Sequence, residues 1–99
     1  MRIELLEEAE QDLLDGFAFY EWQEPGLGQY FLDSILSDVD SLQLYAGIHA
    51  AYDGYQRLLS KRFPYAVYYR VFDSGTLVRV YAVLDCRQAP DRTKNRLTE

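Results

Sequence analysis

Scarcities set the first limits on this 99-residue chain. Its one cysteine, Cys86, cannot close an internal disulfide, and with a single histidine, His49, there is no Cys/His cluster for zinc. No apolar run approaches the about 18 residues that a membrane helix needs. The N-terminal Met1-Arg2-Ile3-Glu4 turns acidic where a signal peptide would turn apolar, so the expectation is a soluble, cytoplasmic protein with no membrane partner. Gly (6) and Pro (3) are too few for a low-complexity linker. Positive charge is scarcest of all in the first half: Arg2 is the only Lys or Arg before residue 54, against twelve acids.

What is present is a core. The hydrophobic share is 48%, and the aromatics are nine Tyr, five Phe and one Trp, which describes a folding chain. The length suits one domain, residues 1–99. From Gly54 onward nine bases (Arg57, Lys61, Arg62, Arg70, Arg79, Arg87, Arg92, Lys94, Arg96) face four acids, so the net charge of −6 conceals a cationic half. A basic patch on an acidic protein can hold an anionic partner locally while the rest of the surface repels polyanions.

Periodicity places these residues. Arg2 to Leu6 reads as a short strand. Ala9, Leu13, Phe17 and Tyr20 form a helical stripe, Pro25-Gly26 breaks it, and Leu27, Phe31, Ile35, Val39, Leu42 and Ala46 form a second. A helical hairpin follows, its acids being the solvated backs of two helices, since no spacing among them matches a calcium loop. No metal and no cofactor are expected. His49 falls in the connection after the hairpin, and Cys86 at a strand end, as a structural residue.

The second half changes period. Tyr52 to Leu59, Phe63 to Asp73 and Thr76 to Leu84 are rich in Tyr, Val and Phe and are separated by turn signals, which predicts a three-stranded antiparallel meander. With Ser74-Gly75 as a two-residue loop, Arg70 pairs with Arg79 and Tyr68 with Tyr81, giving one face of Tyr68, Arg70, Arg79 and Tyr81. The opposite face (Val67, Tyr69, Val71, Val78, Val80, Ala82) then receives the helices. Two arginines directly opposite one another are unfavourable unless neutralised, either by a bound anion or by pairing with Asp73 or Asp85 on a solvated face. A three-residue loop would instead set Tyr69 opposite Arg79. The fold class is α+β: a short N-terminal strand, a helical hairpin, then the meander, with the helices on one sheet face and the other open. Trp22, Phe63, Tyr65 and Val67 are assigned to the core.

This order of elements, the stretch Arg57-Leu58-Leu59-Ser60-Lys61-Arg62-Phe63-Pro64-Tyr65-Ala66-Val67-Tyr68-Tyr69-Arg70, and the ending Val80 to Pro90 through Asp85-Cys86-Arg87 resemble the RelE/ParE superfamily of type II toxin–antitoxin (plasmid stabilisation) toxins. The likeness spans nearly the whole chain. It implies a growth-inhibiting toxin neutralised by a cognate antitoxin; a homodimer and a toxin–antitoxin heteromer both stay open as its assembly. The family divides into RelE-type ribosome-dependent messenger-RNA endoribonucleases and ParE-type proteins that poison DNA gyrase.

Individual positions favour the ParE type. Metal-free RNA cleavage needs clustered bases beside an acid/base group. Arg87 matches the arginine that ribonuclease members carry after the last strand, but Ala66 stands where they usually have another, and residues 91–96 hold no tyrosine. Tyr68 and Tyr81, with Arg87, are the only substitutes. An acidic first half also suits a protein target better than the ribosome's phosphates. The expectation is therefore a non-enzymatic binder using Arg57, Arg62, Arg70, Arg79 and Arg87 for target or antitoxin, with Arg57 and Arg62 pairing antitoxin carboxylates. The alternatives are a metal-independent endoribonuclease, or an inactive module that only binds antitoxin.

Overall fold

The computed structural model of the chain describes residues 1–98. Strand β1 (Arg2–Leu5) leads into helices α1 (Glu7–Gln23) and α2 (Leu27–Asp40) and a single turn, α3 (Leu42–Tyr45). Strands β2 (Ala51–Tyr52), β3 (Tyr55–Leu59), β4 (Tyr65–Phe72) and β5 (Leu77–Asp85) follow, and helix α4 (Pro90–Leu97) ends the described chain. The five strands form one sheet in the order β1-β5-β4-β3-β2. β1 runs parallel to β5, and the other neighbours are antiparallel.

The hairpin turns where the sequence breaks. Gly26 takes a positive φ of 93°, which costs glycine little. Glu21 reaches across and accepts hydrogen bonds at 3.0 Å from the backbone N–H of Gly26 and of Gly28, supplying negative charge at the start of α2. Phe31, Ile35, Val39 and Leu42 are buried as their spacing predicts, although the second stripe crosses a break at Ser41 between α2 and α3.

On α1 the buried positions are Ala9, Leu13, Gly16 and Tyr20, with Phe17 only partly covered. Gly16 takes the place expected of Phe17 because the Phe31 ring occupies its space: a Cβ there would lie 2.5 Å from two ring carbons. Trp22 also departs from expectation. It is 91% exposed, because it lies on the side of α1 turned away from the stripe that ends at Tyr20.

The sheet has helices on both faces. The larger core lies between the sheet and α1 and α2 and contains Tyr65, Val67, Tyr69, Val78, Val80 and Val83. A smaller cluster of Tyr55, Ala66, Tyr68, Ala82 and Leu84 lies on the other face, closed by Leu97 of α4. The supposedly open face is therefore roofed at one end.

The β4–β5 register keeps Arg70 opposite Arg79, but the turn is a short 3-10 segment over Asp73–Gly75 with positive φ at all three residues. Beyond it the ladder slips: Tyr69 pairs with Val80 and Tyr68 with Ala82, so Tyr81 is an extra residue, a β-bulge. The bulge replaces the expected Tyr68–Tyr81 pair and moves Ala82 to the α4 face. The first strand of the meander is also divided, because Asp53 (φ 55°) and Gly54 (φ 86°) make a tight turn between β2 and β3.

Candidate functional site

Strand alternation gathers arginines and tyrosines on the α4 face. Arg57 lies opposite Tyr68 on the neighbouring strand, hydrogen-bonds its hydroxyl, and stacks 4.8 Å from the Tyr52 ring centroid. Arg70 stacks 4.0 Å over Tyr55 and 5.3 Å from Tyr81, and its Nε donates to the Gly54 carbonyl at 3.0 Å. Arg79 lies 4.9 Å over Phe72 and donates to Glu4 at 2.9 Å. Hydrogen bonds with Tyr81 and then Glu4 raise the Arg79 pKa further, so it remains charged.

This is a ladder of guanidinium groups, each placed over an aromatic ring. The rings restrain the guanidinium groups, which are by their fork geometry suited to bidentate capture of carboxylate or phosphate. Among the described residues neither Arg57 nor Arg70 has a carboxylate within salt-bridge distance. The like-charge pair Arg70–Arg79 is relieved on one side only, by Glu4.

The other two arginines lie elsewhere. Arg62 is exposed in the turn between β3 and β4. Arg87, just past β5, donates to Asp85 at 2.7 and 3.0 Å and points toward α1, with an Nη2 3.5 Å from the Tyr20 hydroxyl. Its hydrogen bonds hold the Asp85 carboxyl below the usual range. Of the five arginines singled out by the sequence, Arg57, Arg70 and Arg79 share a surface, and Arg62 and Arg87 do not join it.

Of the three residues offered as a ribonuclease centre, Tyr68 and Tyr81 share the cluster on the α4 face and Arg87 does not join them. Tyr68 is 2% exposed, and burial raises its pKa despite the Arg57 hydrogen bond. Tyr81 is half-buried beside Tyr55, with ring centroids 5.1 Å apart. Arg87 is directed to the opposite side of the sheet. Cys86 is exposed rather than packed, and partial burial raises its thiol pKa. Among the described residues no group of three or more His, Cys, Asp or Glu is placed to hold a metal ion, and no helix is long and apolar enough to cross a membrane.

Sequence reasoning missed several supports. Tyr52 and Tyr55 act as stacking platforms only because the Asp53-Gly54 turn restores their phase. Tyr55 also donates to the Leu97 carbonyl at 2.7 Å and anchors α4. Arg96 of α4 crosses the sheet edge to grip Asp12 of α1 at 2.6 and 2.9 Å, and the same carboxylate accepts from Val83 N–H at 2.9 Å. Desolvation nevertheless raises the Asp12 pKa, outweighing these bonds. His49 sits in the expected connection, hydrogen-bonded through Nδ1 to the Tyr69 hydroxyl; that hydroxyl also accepts from Gly47 N–H at 3.0 Å and donates to Gln56 Oε1 at 2.9 Å. Burial lowers the His49 pKa.

A helical hairpin on one face of a mixed sheet, with an N-terminal strand parallel to the last strand and a short C-terminal helix on the other face, is a ParE-like fold. Among solved structures it matches a chain of the chromosomal ParDE toxin–antitoxin system from P. aeruginosa, with a TM-score of 0.73 at 20% identity, over 84% of this chain and 92% of that one. No family model and no curated protein sequence matches the chain.

Proposed function

We propose that this protein is the toxin of a type II toxin–antitoxin system, arresting growth by binding a cellular target, DNA gyrase in the favoured case, and neutralised by a cognate antitoxin. The fold likeness to a ParDE component supports the system. The observation that carries the binding role is the stacked pair Arg57 and Arg70, two oriented cations without carboxylate partners among the described residues. Orienting guanidinium groups before a partner arrives lowers the entropy lost on binding. Such a surface binds anionic groups without needing an acid or base. A ribonuclease needs one, and the burial of Tyr68 weighs against that activity.

The test is induction of the protein in a bacterial host without antitoxin, with pulse-labelling of DNA and protein synthesis. The expected result is an early fall in DNA synthesis that is relieved in an Arg57→Ala/Arg70→Ala variant with unchanged circular dichroism. An early fall in protein synthesis would replace gyrase by messenger RNA as the target. Normal growth would leave only an antitoxin-binding module.

A further inference from the structure

The two ends of the sheet are finished differently. At one end the short β2, Ala51 and Tyr52, lies beside β3; at the other, β1 has β5 on one side and no strand on the other. Arg2 N–H donates to the Thr76 carbonyl at 2.9 Å and Leu6 N–H to the Val80 carbonyl at 3.0 Å. Backbone groups alternate in direction along a strand, so Ile3 and Leu5 turn their N–H and C=O groups away from β5. The described residues place no backbone partner on that side. An unpaired edge with neither proline nor bulge is a template for another strand.

The side chains of β1 select the strand that fits. Arg2, the one base of the N-terminal half, is exposed and enters none of the ion pairs among the described residues. Glu4, two residues on and therefore on the same face, bonds Arg79 through Oε1 alone. With a second copy of β1 antiparallel along the edge and Ile3 opposite Ile3, each Arg2 stands opposite Glu4 of the other copy. Ile3 then exchanges both of its backbone hydrogen bonds with its counterpart, and Leu5 faces Met1. Sliding the strands by two residues sets Glu4 against Glu4 in one direction and Arg2 against Arg2 in the other, so charge favours this register over its neighbours.

The twofold axis of such a pair is perpendicular to the sheet, so the helices of both copies lie on one side of it. That arrangement brings the apolar surface beside Leu5, where Leu14 is 59% exposed and Leu36 41%, toward its own counterpart.

We propose that β1 is a self-association edge, at which two copies of this chain pair antiparallel and join their sheets into one. The dimer does not depend on the toxin reading, and growth arrest plays no part in its test.

Sedimentation velocity of the whole chain, from micromolar to submillimolar concentration, should show the mass rising from 11.6 kDa toward twice that value. Amide hydrogen exchange at Ile3 and Leu5 should slow in step with dimer formation. Arg2→Glu removes no ion pair within the chain and should weaken self-association at least about tenfold, by setting like charges opposite one another. Glu4→Lys should do the same. An equimolar mixture of the two variants should recover the dimer, because both contacts across the axis again join opposite charges. Circular dichroism controls for folding; should Glu4→Lys fail to fold, Arg2→Glu and the exchange data decide alone.

The inference is overturned by a chain that stays monomeric throughout, by self-association that Arg2→Glu leaves unchanged, or by a dimer whose Ile3 and Leu5 amides exchange as fast as in the monomer. It is equally overturned by a mixture of the two folded variants that associates no better than either alone.

Discussion

Replacing Gly16 by alanine should destabilise this protein, although alanine is the better helix former. The added Cβ would stand 2.5 Å from Cε2 and Cζ of Phe31 and 3.5 Å from Cδ2. Carbon atoms settle at about 3.5–4.0 Å, so the ring must retreat by about 1 Å. It has nowhere to go. Phe31 is fully buried, and Tyr20, Phe63 and Tyr65 surround it with centroids 5.1, 5.2 and 4.8 Å away. Overpacking of this kind costs about 1–3 kcal/mol. The gain in helix propensity returns about 0.5–1 kcal/mol, leaving a net loss on the order of 1–2 kcal/mol.

The sign of the effect depends on its neighbour. In a Phe31→Leu background the ring is gone, and Gly16→Ala should stabilise by the propensity term, about 0.5–1 kcal/mol. Urea unfolding followed by far-ultraviolet circular dichroism measures all four corners of the cycle. Fluorescence is a poor reporter, because Trp22 is 91% exposed in the folded protein. A neutral or stabilising Gly16→Ala in the wild-type background would refute the claim that the Phe31 ring dictates glycine here.

Asp12→Ala orphans the Val83 N–H and leaves Arg96 without this carboxylate, so it should cost about 2–4 kcal/mol and raise hydrogen exchange at Val83; Asp12→Asn retains an acceptor for Val83 and should cost less. Because burial lowers the His49 pKa, the unfolded chain binds the extra proton first, so stability is full above about pH 6.5 and declines as pH falls from there toward the lowered folded value. Thermal melts between pH 7.5 and 5 should show that decline, and His49→Gln should flatten it; an identical slope in the variant would exclude His49 as its source. Single Arg79→Ala and Arg87→Ala variants should differ in target binding, since only Arg79 lies in the stacked ladder, and equal losses measured against the purified target would contradict the separation of the two side chains.

The helical hairpin, the meander and the Arg70–Arg79 pairing were legible in the sequence because each rests on a local period or turn. The β1–β5 pairing was not legible, since parallel pairing joins residues more than 70 positions apart with no turn to announce it. The partner of Tyr68 and the face of Ala82 were misassigned for a related reason. Alternation carries every side chain faithfully until one residue is inserted, and nothing in Val80-Tyr81-Ala82 marks the bulge. For the candidate site, composition located the cations but not their orientation. Arg87 looks equivalent to Arg79 in sequence, yet Asp85 two residues earlier turns it toward α1. Trp22 was misjudged because aromatic character was weighed above its phase on α1.

The pairing of β1 with β5 also sets when the protein can exist during synthesis. Leu5 finds its neighbour only at Val80, Glu4 its cation only at Arg79, and Asp12 its partner only at Arg96. A ribosome delivering residues at about 5–20 per second has released α1 and α2 some seconds before those partners emerge. Until then the hairpin has no sheet to cover, and neither the arginine ladder nor its tyrosine platforms are assembled. The opening residues wait for the closing ones, so a prematurely terminated chain lacks both the finished fold and the surface through which we propose it acts.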